Sequence, residues 1–366
     1  MSKSVTLKIL LSIVVMVTFS LGSFAAKPKG KIGPKDYVVG FYNLENLFDT
    51  KDDPKKNDNE FLPEGRNNWT LEKYHKKLHN MARVIAEMKS ENGFYHAVLG
   101  VAEVENLTVL QDLINDPQIS DAGFRIVHYE SPDARGIDVA LLYRPNVFRF
   151  LDSEDIPFDF EGTKVEIEMD TDRQKNFRTR NILMVHGTIK GEHFAFYVAH
   201  LPSRGGNKGA DLRCRGSEII YNHSRGMEKK YPGIKIVVMG DMNDNPEDDS
   251  QKIWLHAKES LKATGPDDFF NPFESIHTPG VGSEEYRGDW NIFDIIEVNH
   301  NLAKAPKGGL RIKPVPGGKD YGEIFNRYFL TQQDGRYKGT PFRTFGNGAF
   351  MNGFSDHYPT FIVIGK

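Results

Sequence analysis

Residues 234–243 read Ile-Lys-Ile-Val-Val-Met-Gly-Asp-Met-Asn, and this stretch decides the fold. The run before Gly240 is rich in apolar, β-branched residues, which predicts a buried β-strand. Asp241 and Asn243 follow the glycine, two positions apart. In an extended chain such side chains share one face, so a carboxylate and an amide would stand together at the end of the strand. The competing interpretation is an ordinary Asp-Asn turn after a strand.

Other apolar runs also lead to polar side chains. Ala97–Val101 leads to Glu103, just before a helix predicted to start near Asn106, and Phe194–Ala199 leads to His200. A carboxylate at a strand end suits Mg²⁺, which takes one or two carboxylates together with water and substrate oxygens. A surface salt bridge for the glutamate and simple packing for the histidine are the alternatives.

Asp294 is unusual because it lies inside the apolar run Ile292–Val298. A buried carboxylate costs free energy unless it is paired. The predicted partner is His357, which follows Asp356 and precedes the final apolar run of the chain. A buried Asp–His pair fixes the tautomer of the imidazole and raises its basicity.

The rest of the chain is rich in strand-length runs. Most are bounded by Gly, Pro, Asn or Asp, and they predict strands at Tyr37–Tyr42, Ala97–Val101, Ile137–Tyr143, Ile182–Ile189, Phe194–Ala199, Ile234–Met239, Ile292–Val298 and Thr360–Ile364. Apolar spacing and capping predict helices at Leu71–Met88, with Thr70 as its cap, at Gly209–Lys230 and at Asp249–Leu261. The Gly- and Pro-rich stretch Ala303–Thr344 predicts long loops with room for a hairpin. Many strands with few helices favour two packed sheets with helices outside.

Composition sets limits on the type of protein. The chain has 366 residues, 39% of them hydrophobic, and a formal net charge of −3. This length allows one large domain or two, and the charge excludes a strongly basic nucleic-acid coat. Cys214 is the sole cysteine, which excludes an intrachain disulfide, and its side chain is expected to be packed. Its neighbours Arg213 and Arg215 are interpreted as a solvated face, with phosphate contacts as the alternative.

Residues 1–26 predict an export signal. Lys3 and Lys8 give a positive region ahead of the apolar run Ile9–Leu21, and Ser23-Phe24-Ala25-Ala26 supplies small residues for cleavage. The run Ile9–Leu21 is shorter than the about 20 residues of a membrane span, although an uncleaved anchor is the alternative. We expect an exported protein, periplasmic or extracellular, with no transmembrane span after cleavage and a flexible leader at residues 27–36.

Together these motifs resemble a known family. Tyr42-Asn43-Leu44-Glu45, Val101-Ala102-Glu103, His200-Leu201, Gly240-Asp241-Met242-Asn243 and Ser355-Asp356-His357 resemble, in the same order, the signature blocks of the endonuclease/exonuclease/phosphatase superfamily. Pancreatic-type deoxyribonucleases, abasic-site endonucleases, bacterial sphingomyelinases and inositol polyphosphate phosphatases belong to it. The resemblance implies an α+β fold, a deoxyribonuclease-like four-layer αββα sandwich of two mixed sheets, and a single catalytic domain at residues 37–366.

The resemblance also implies roles for individual residues. Glu103 matches the principal metal ligand, with Asn43 and Asp356 beside it. The implied catalytic residues are His200, Asp241, Asn243, Asp294 and His357. Two weaker matches are Arg180, as a phosphate contact, and Glu130, as the residue that orients His200. The context Phe-Asp-Ile-Ile around Asp294 departs from the family's usual sequence.

The acids themselves give a physical reason to expect a metal. Carboxylates that share a site raise one another's pKa and repel an anionic substrate. A divalent ion reverses the local sign and stabilises negative charge on a transferring phosphoryl group. We expect Mg²⁺, with Mn²⁺ or Ca²⁺ as alternatives.

The expected function is hydrolysis of a phosphoester by in-line attack of water. A nuclease or general phosphodiesterase is the first interpretation, with nucleic acid as substrate. The second is a sphingomyelinase-like lipid phosphodiesterase, which would need an exposed apolar loop such as Phe269-Phe270 or Phe345–Phe350, or a phosphomonoesterase. A non-catalytic binding protein on the same fold is a further alternative. A calcineurin-like phosphatase is disfavoured because the chain lacks a Gly-Asn-His block, and no stable protein partner is inferred.

Overall fold

The computed structural model describes residues 32–205, 209–346 and 348–366. The predicted export signal and the first residues of the leader lie outside these ranges. In chain order the strands are β1 (Tyr37–Leu47), β2 (Val98–Val104), β3 (Arg125–His128), β4 (Asp138–Tyr143), β5 (Phe148–Ile156), β6 (Ile182–Ile189), β7 (Glu192–His200), β8 (Lys235–Asp241), β9 (Ala257–Lys258), β10 (Phe269–Phe270), β11 (Glu284–Tyr286), β12 (Asp289–Asn291), β13 (Asp294–Asn299), β14 (Arg311–Lys313), β15 (Gly322–Ile324), β16 (Phe345–Gly346), β17 (Ala349–Phe350) and β18 (Thr360–Gly365). The α-helices are α1 (Leu71–Asn92), α2 (Leu107–Ile114), α3 (Thr171–Asn176), α4 (Ala210–Lys230) and α5 (His300–Ala303).

Two mixed sheets dominate the described residues. The first follows the order β14-β18-β1-β2-β4-β3, with β15 also paired to β18, and the second follows β5-β6-β7-β8-β13-β10-β9. Two small hairpins, β11-β12 and β16-β17, stand apart from them. This arrangement confirms the predicted α+β sandwich of the deoxyribonuclease-like type.

The buried apolar side chains of both sheets join in one hydrophobic core. Strands β1 and β2 of the first sheet lie against β8 of the second. The contact is close, since a Cβ atom on Gly100 of β2 would lie 2.6 Å from the sulfur of Met239 in β8. Interiors pack at crystal-like density, so there is no space for a larger residue at Gly100 unless the methionine moves.

Helices α1, α2 and α4 begin at or next to the residues where the sequence predicts them. The Thr70 hydroxyl accepts a hydrogen bond of 3.4 Å from the backbone N–H of Lys73 at the start of α1, and Asn106 caps α2 by accepting one of 3.1 Å from Val109. Gly93 ends α1 in the left-handed conformation that glycine adopts without steric cost. No helix of the described residues is both long enough and apolar enough to cross a bilayer.

Two predictions about secondary structure are wrong or incomplete. In place of a helix at Asp249–Leu261 there is a single π-helical turn, Ser250–Trp254, followed by β9. The stretch Ala303–Thr344 contributes β14 and β15, and both pair with β18 instead of with each other. Strands of three residues carry too little periodic pattern to be recognised in the sequence, and only the neighbouring strand gives them hydrogen-bond partners.

Strand register brings the polar strand ends to one edge. The parallel pair β7 and β8 places His200 opposite Asp241, and the antiparallel pair β8 and β13 places Asp241 opposite Asp294. In the first sheet the parallel pair β1 and β2 places Asn43 opposite Ala102, one residue before Glu103. Because the sheets face each other, these ends converge on one end of the sandwich.

Glu297 is a buried acid in the core of the second sheet. Its side chain has no exposed surface, and its Oε1 accepts a hydrogen bond of 2.7 Å from Asn271 Nδ2. Burial raises the pKa of Glu297 from 4.5 to about 8, against a smaller lowering by that hydrogen bond. The folded protein therefore holds this carboxyl group neutral at pH 7.

We predict that Glu297→Gln makes stability less dependent on pH. From about pH 4.5 to about pH 8, Glu297 is ionised in the unfolded chain and neutral in the folded protein, so its contribution lowers the free energy of unfolding as pH rises. Glutamine keeps the acceptor oxygen and does not titrate. Urea unfolding at several pH values should show the variant gaining stability relative to the parent across this window. A difference that stays constant with pH would contradict the prediction.

Candidate active site

The site is built around the carboxylate of Asp241, which is 2% exposed. Its Oδ2 accepts a hydrogen bond of 3.0 Å from Asn43 Nδ2, and its Oδ1 accepts one of 3.0 Å from the backbone N–H of Asn243. The first bond joins a residue of β1 to a residue of β8, across the two sheets. Asp241 therefore holds both halves of the sandwich together at the point where the site forms.

Two imidazoles flank the same carboxylate oxygen. His200 Nε2 lies 3.6 Å and His357 Nε2 lies 3.8 Å from Asp241 Oδ2. Glu103 approaches from the first sheet, with its Oε1 3.9 Å from His200 Nε2. Acids, an amide and histidines that are up to 314 positions apart in the chain are therefore neighbours in space.

Asp294 and His357 form the predicted acid–imidazole pair. His357 Nδ1 lies 2.7 Å from Asp294 Oδ2, and the carboxylate is completely buried. Burial alone would lower the pKa of His357, but Asp294, then Asp241 and Asp356, raise it well above its ordinary value. In the site without a metal, His357 is therefore an imidazolium that Asp294 orients.

His200 has the opposite electrostatic setting. Burial, together with the positive charges of Arg180 and Arg135 and of His357, lowers the pKa of His200 well below its ordinary value. Its Nδ1 is buried without a hydrogen-bond partner among the described residues. His200 is therefore a neutral imidazole, which donates a hydrogen bond through one nitrogen only.

The pKa of the Asp241 carboxyl group suits proton transfer near neutral pH. Burial raises its pKa to about 6; His357 opposes this change, and Asp294 and Glu103 add to it. A group whose pKa lies near neutral pH is effective as a general base. Asn243 completes the arrangement, since its Nδ2 donates to the Leu201 carbonyl at 3.0 Å and ties the Asp241 loop to the end of β7.

The predicted metal ligands fit a hard divalent ion. Glu103 Oε2 accepts a hydrogen bond of 2.9 Å from the backbone N–H of Asn46. Its Oε1 accepts no hydrogen bond from the described residues, and His200 Nε2 lies 3.9 Å away from it. The carboxylate of Asp356 lies next to His357 Nε2, at 4.0 Å, and accepts no hydrogen bond from the described residues. Free carboxylate oxygens beside an amide are the donor set that Mg²⁺ prefers.

A second grouping of ligand atoms, Asp241, Asp294 and His357, is also compact enough for an ion. The short bond from His357 Nδ1 to Asp294 uses two of these ligands already. We therefore interpret Asp294 as the residue that positions His357. The role of Glu103 as the metal ligand stays a prediction.

The backbone is strained at the site. Four non-glycine residues here adopt positive φ angles, namely Glu45 at 47°, Asn46 at 55°, Glu103 at 58° and Asn243 at 51°. Each costs roughly 1–3 kcal/mol and persists only where the surroundings fix it. Glu45 shows how this is achieved, because its carboxylate accepts backbone N–H bonds from Thr344 (2.6 Å) and Phe345 (3.3 Å).

The C-terminal motif is joined directly to β1. Ser355 Oγ donates to the carbonyl of Asn43 at 2.7 Å and accepts from the backbone N–H of His357 at 3.1 Å. Beneath it, the buried Lys77 of α1 donates to the Phe354 carbonyl at 2.8 Å and lies 3.9 Å from Glu45. These contacts fix His357 relative to the first sheet.

The two weaker predictions have different outcomes. Glu130 is exposed and lies beside His128 and the buried Asp138, and His200 Nδ1 has no hydrogen-bond partner in the described part of the chain, so the predicted orienting contact is wrong. The Arg180 guanidinium is buried and donates to the carbonyls of His200 (3.1 Å) and Leu201 (2.9 Å) and to Asp133 (3.0 Å). It positions the end of β7, and its contact with phosphate stays a prediction.

The residues that brace the Asp241 loop are absent from the set predicted from the sequence. Arg213 Nε lies 2.7 Å and Arg204 Nη2 lies 3.3 Å from Asp244 Oδ1, and Arg204 Nε donates to the Asn243 carbonyl at 2.9 Å. Arg213 and Arg215 are buried, so the predicted solvated face is wrong. The only signal in the sequence is the position of Asp244 directly after the motif, since ion pairs between distant elements leave no periodic pattern.

Glu284 is a second missed residue. It forms an antiparallel bridge with His357, and burial raises its pKa to about 7, with His357 opposing and Asp356 and Asp241 adding to the change. It adds a further acid to the rim of the site.

The fold and the arrangement of the site are those of the deoxyribonuclease-like class. The sequence profile of the Endonuclease/Exonuclease/phosphatase family matches residues 38–366, so the chain belongs to this family. No curated protein sequence matches the chain.

Solved structures of low sequence identity share the fold. An endonuclease/exonuclease/phosphatase family protein of Bacteroides thetaiotaomicron is 15% identical with a TM-score of 0.52, over 91% of this chain and 98% of that one. The mannosyl-6-phosphatase Bt3783 of the same species is 14% identical with a TM-score of 0.51, over 90% and 98%. TDP2 of D. rerio, complexed with a single-strand DNA product, is 13% identical with a TM-score of 0.51, over 90% and 99%.

We predict that Asp294→Asn lowers the pKa of His357 and slows turnover by about 10²–10⁴, because the variant loses the charge that stabilises the imidazolium and fixes its tautomer. NMR titration of the His357 ring in the metal-free protein measures the pKa. The control is Asp289→Asn, an exposed acid on the adjacent hairpin, which should leave both quantities unchanged. An unaltered His357 titration in Asp294→Asn would contradict the assignment.

Proposed function

We propose that the protein hydrolyses a phosphoester with the help of a divalent metal ion, Mg²⁺ in the first instance. One observation carries the proposal. A buried carboxylate, Asp241, lies between two imidazoles of opposite protonation state, with Glu103 across from it offering a free oxygen. This arrangement supplies a base, a cationic donor, a neutral donor and a metal ligand at one point.

The residues divide the chemistry as follows. Asp241 accepts the proton of the attacking water, because its pKa of about 6 leaves it ionised at neutral pH yet basic enough to act. Asn43 and Asn243 hold this carboxylate in place. His357, charged and fixed by Asp294, donates to the phosphate. His200, neutral, donates a hydrogen bond on the departing side.

A metal would be held by Glu103, with Asn43 and Asp356 beside it. When bound, a divalent ion supplies positive charge that offsets the negative charge of the phosphoryl group. The acids of the site otherwise repel such a substrate, so the metal and the acidic residues belong to one arrangement.

The net charge of the protein and the burial of its aromatic loops bear on which ester it hydrolyses. Nucleic acid, the first interpretation from sequence, stays a proposal, and a DNA product is bound in the TDP2 structure that shares the fold. The net charge of −3 does not favour a polyanion. The lipid interpretation loses its apolar loop, since Phe269 and Phe270 are buried and Phe345 and Phe350 pack on Trp69.

A small phosphorylated compound is the second candidate. A cavity of about 290 Å³ lies beside the site and has the size of a small-ligand pocket. A phosphatase acting on a mannosyl 6-phosphate shares this fold, which makes a phosphomonoester a reasonable substrate to test.

We predict that purified protein hydrolyses at least one phosphoester with Mg²⁺ and loses this activity in EDTA. Substrates to compare are plasmid DNA, RNA, bis-p-nitrophenyl phosphate, sphingomyelin and p-nitrophenyl phosphate. Asp241→Asn and His357→Ala should each lose about 10²-fold or more, because each removes a group that acts in proton transfer or charge stabilisation.

The matched control for these variants is His75→Ala, an exposed histidine on α1. Circular dichroism should show the same fold for all of them. Undiminished turnover in Asp241→Asn, or activity that EDTA leaves intact, would overturn the proposed mechanism. Cleavage restricted to sphingomyelin or to the monoester would overturn nucleic acid as the substrate.

We further propose that the protein is exported, on the strength of the signal-like sequence at residues 1–26. Intact-mass measurement of the protein recovered from the periplasm or the medium should show a chain that begins at Lys27. Retention of the full chain in the cell would contradict export.

A further inference from the structure

A polar pocket lies directly beside the reacting groups. Its volume is about 290 Å³, and its walls include Asn46, Asn57, Arg66, Asn67 and Arg135. We refer to it as the amide–arginine pocket, defined by these five residues. None of these five side chains is assigned a direct role in the reaction described above.

The pocket adjoins the active site at two points, near Glu103 and near His200. The backbone N–H of Asn46 donates to Glu103 Oε2 at 2.9 Å, so the same residue lines the pocket and holds the metal-side glutamate. The charge of Arg135 lies close enough to His200 to contribute to the low pKa of that imidazole. A group in the pocket would therefore be attached to the phosphate that reacts, or be next to it.

Several side chains of the pocket have no partner in the protein. The Arg66 guanidinium makes no hydrogen bond or ion pair with any described residue, and neither do the side-chain amides of Asn46, Asn57 and Asn67. Arg135 has only a distant contact, 4.0 Å from its Nε to Asp133 Oδ1. Four polar side chains without partners among the described residues, together with Arg135, line one cavity and offer a surface for a polar ligand.

The combination of hydrogen-bond donors and acceptors in the pocket suits a ligand with hydroxyl groups. Arginine only donates, amides donate and accept, and the carboxylates of Glu45 and Glu60, which also line the cavity, accept. A hydroxyl group needs both a donor and an acceptor around it. Phe48, stacked on Phe61 at 4.3 Å, and Phe345, 6.1 Å from Phe61, give the cavity an apolar wall for the C–H face of a ring.

Charge and size argue against a polyanion in this pocket. Two arginines and two glutamates line it, so their formal charges cancel. The volume of about 290 Å³ lies at the small end of the range for small-molecule sites. The adjoining cavity, which shares Phe48, carries four acids against two lysines, whereas nucleic-acid backbones are contacted mainly by arginine and lysine.

We propose that the amide–arginine pocket binds the compact, uncharged, hydroxyl-rich part of a small phosphate ester, a sugar or another polyol, while its phosphate lies between Asp241 and Glu103. The proposal rests on the proposed phosphoester hydrolysis and specifies its substrate class. Specificity for such a substrate would come from hydrogen bonds between its hydroxyl groups and the arginine and amide side chains that line the pocket.

The test compares two kinds of phosphomonoester. Hexose 6-phosphates, myo-inositol 1-phosphate and glycerol 3-phosphate carry hydroxyl groups, and p-nitrophenyl phosphate carries none. The quantity measured is the ratio of kcat/KM for each polyol phosphate to kcat/KM for p-nitrophenyl phosphate, with Mg²⁺ present. The wild-type ratio should exceed one for at least one polyol phosphate.

Arg66→Ala and Asn67→Ala should lower this ratio by about tenfold or more, mainly through KM, because each removes hydrogen bonds to the substrate. The control is Arg149→Ala, an exposed arginine on β5 at the end of the second sheet away from His200, and it should keep the wild-type ratio. Arg66 has no partner among the described residues, so its loss should leave the fold unchanged, as circular dichroism would show.

Two results would overturn the proposal separately from the proposed function. In the first, the wild type hydrolyses p-nitrophenyl phosphate or bis-p-nitrophenyl phosphate but shows no preference for any polyol phosphate. In the second, the preference exists and survives both substitutions. Absence of hydrolysis of every ester, with and without Mg²⁺, would overturn the proposed function and this inference together.

Discussion

The structure depends on one buried carboxylate, Asp241, and on the hydrogen bond of 3.0 Å that Asn43 donates to it across the two sheets. A charge in this position is costly unless donors and opposite charges surround it. The register of β7, β8 and β13 supplies them by placing His200, Asp241 and Asp294 in one row. The fold therefore determines the chemistry directly, because the pairing of strands sets which charges meet.

The two histidines differ because their neighbours differ. Against the effect of burial, the carboxylate of Asp294 raises the pKa of His357 and holds it as a cation, whereas burial, with Arg180 and Arg135 adding to it, lowers the pKa of His200 and holds it neutral. The same side-chain type thus serves two functions on either side of one carboxylate. Environments that push pKa values apart are a general means of separating acid and base roles.

Much of the fold and of the central site was predicted from the sequence. The strands around Asn43, Glu103, His200, Asp241 and Asp294 are where the apolar runs predict them, because a buried strand needs a continuous apolar sequence and its polar end is visible. The role of Glu130 and the solvated face at Arg213 and Arg215 were wrong. For the arginines the decisive fact is a partner distant in sequence, such as Asp244 for Arg213, at 2.7 Å, whereas Glu130 lies beside His128 and Asp138, which are near it in the chain.

The family, the α+β class and the identity of the central polar residues are readable from the amino-acid sequence, because local pattern and motif order carry that information. The protonation states of the histidines, the bracing of the Asp241 loop by arginines and the amide–arginine pocket emerge only in the folded chain. These properties depend on distances between segments far apart in the chain, from Asn46 to Arg135 and from Asp294 to His357. Electrostatic interactions and burial act through space, and no spacing along the sequence encodes them.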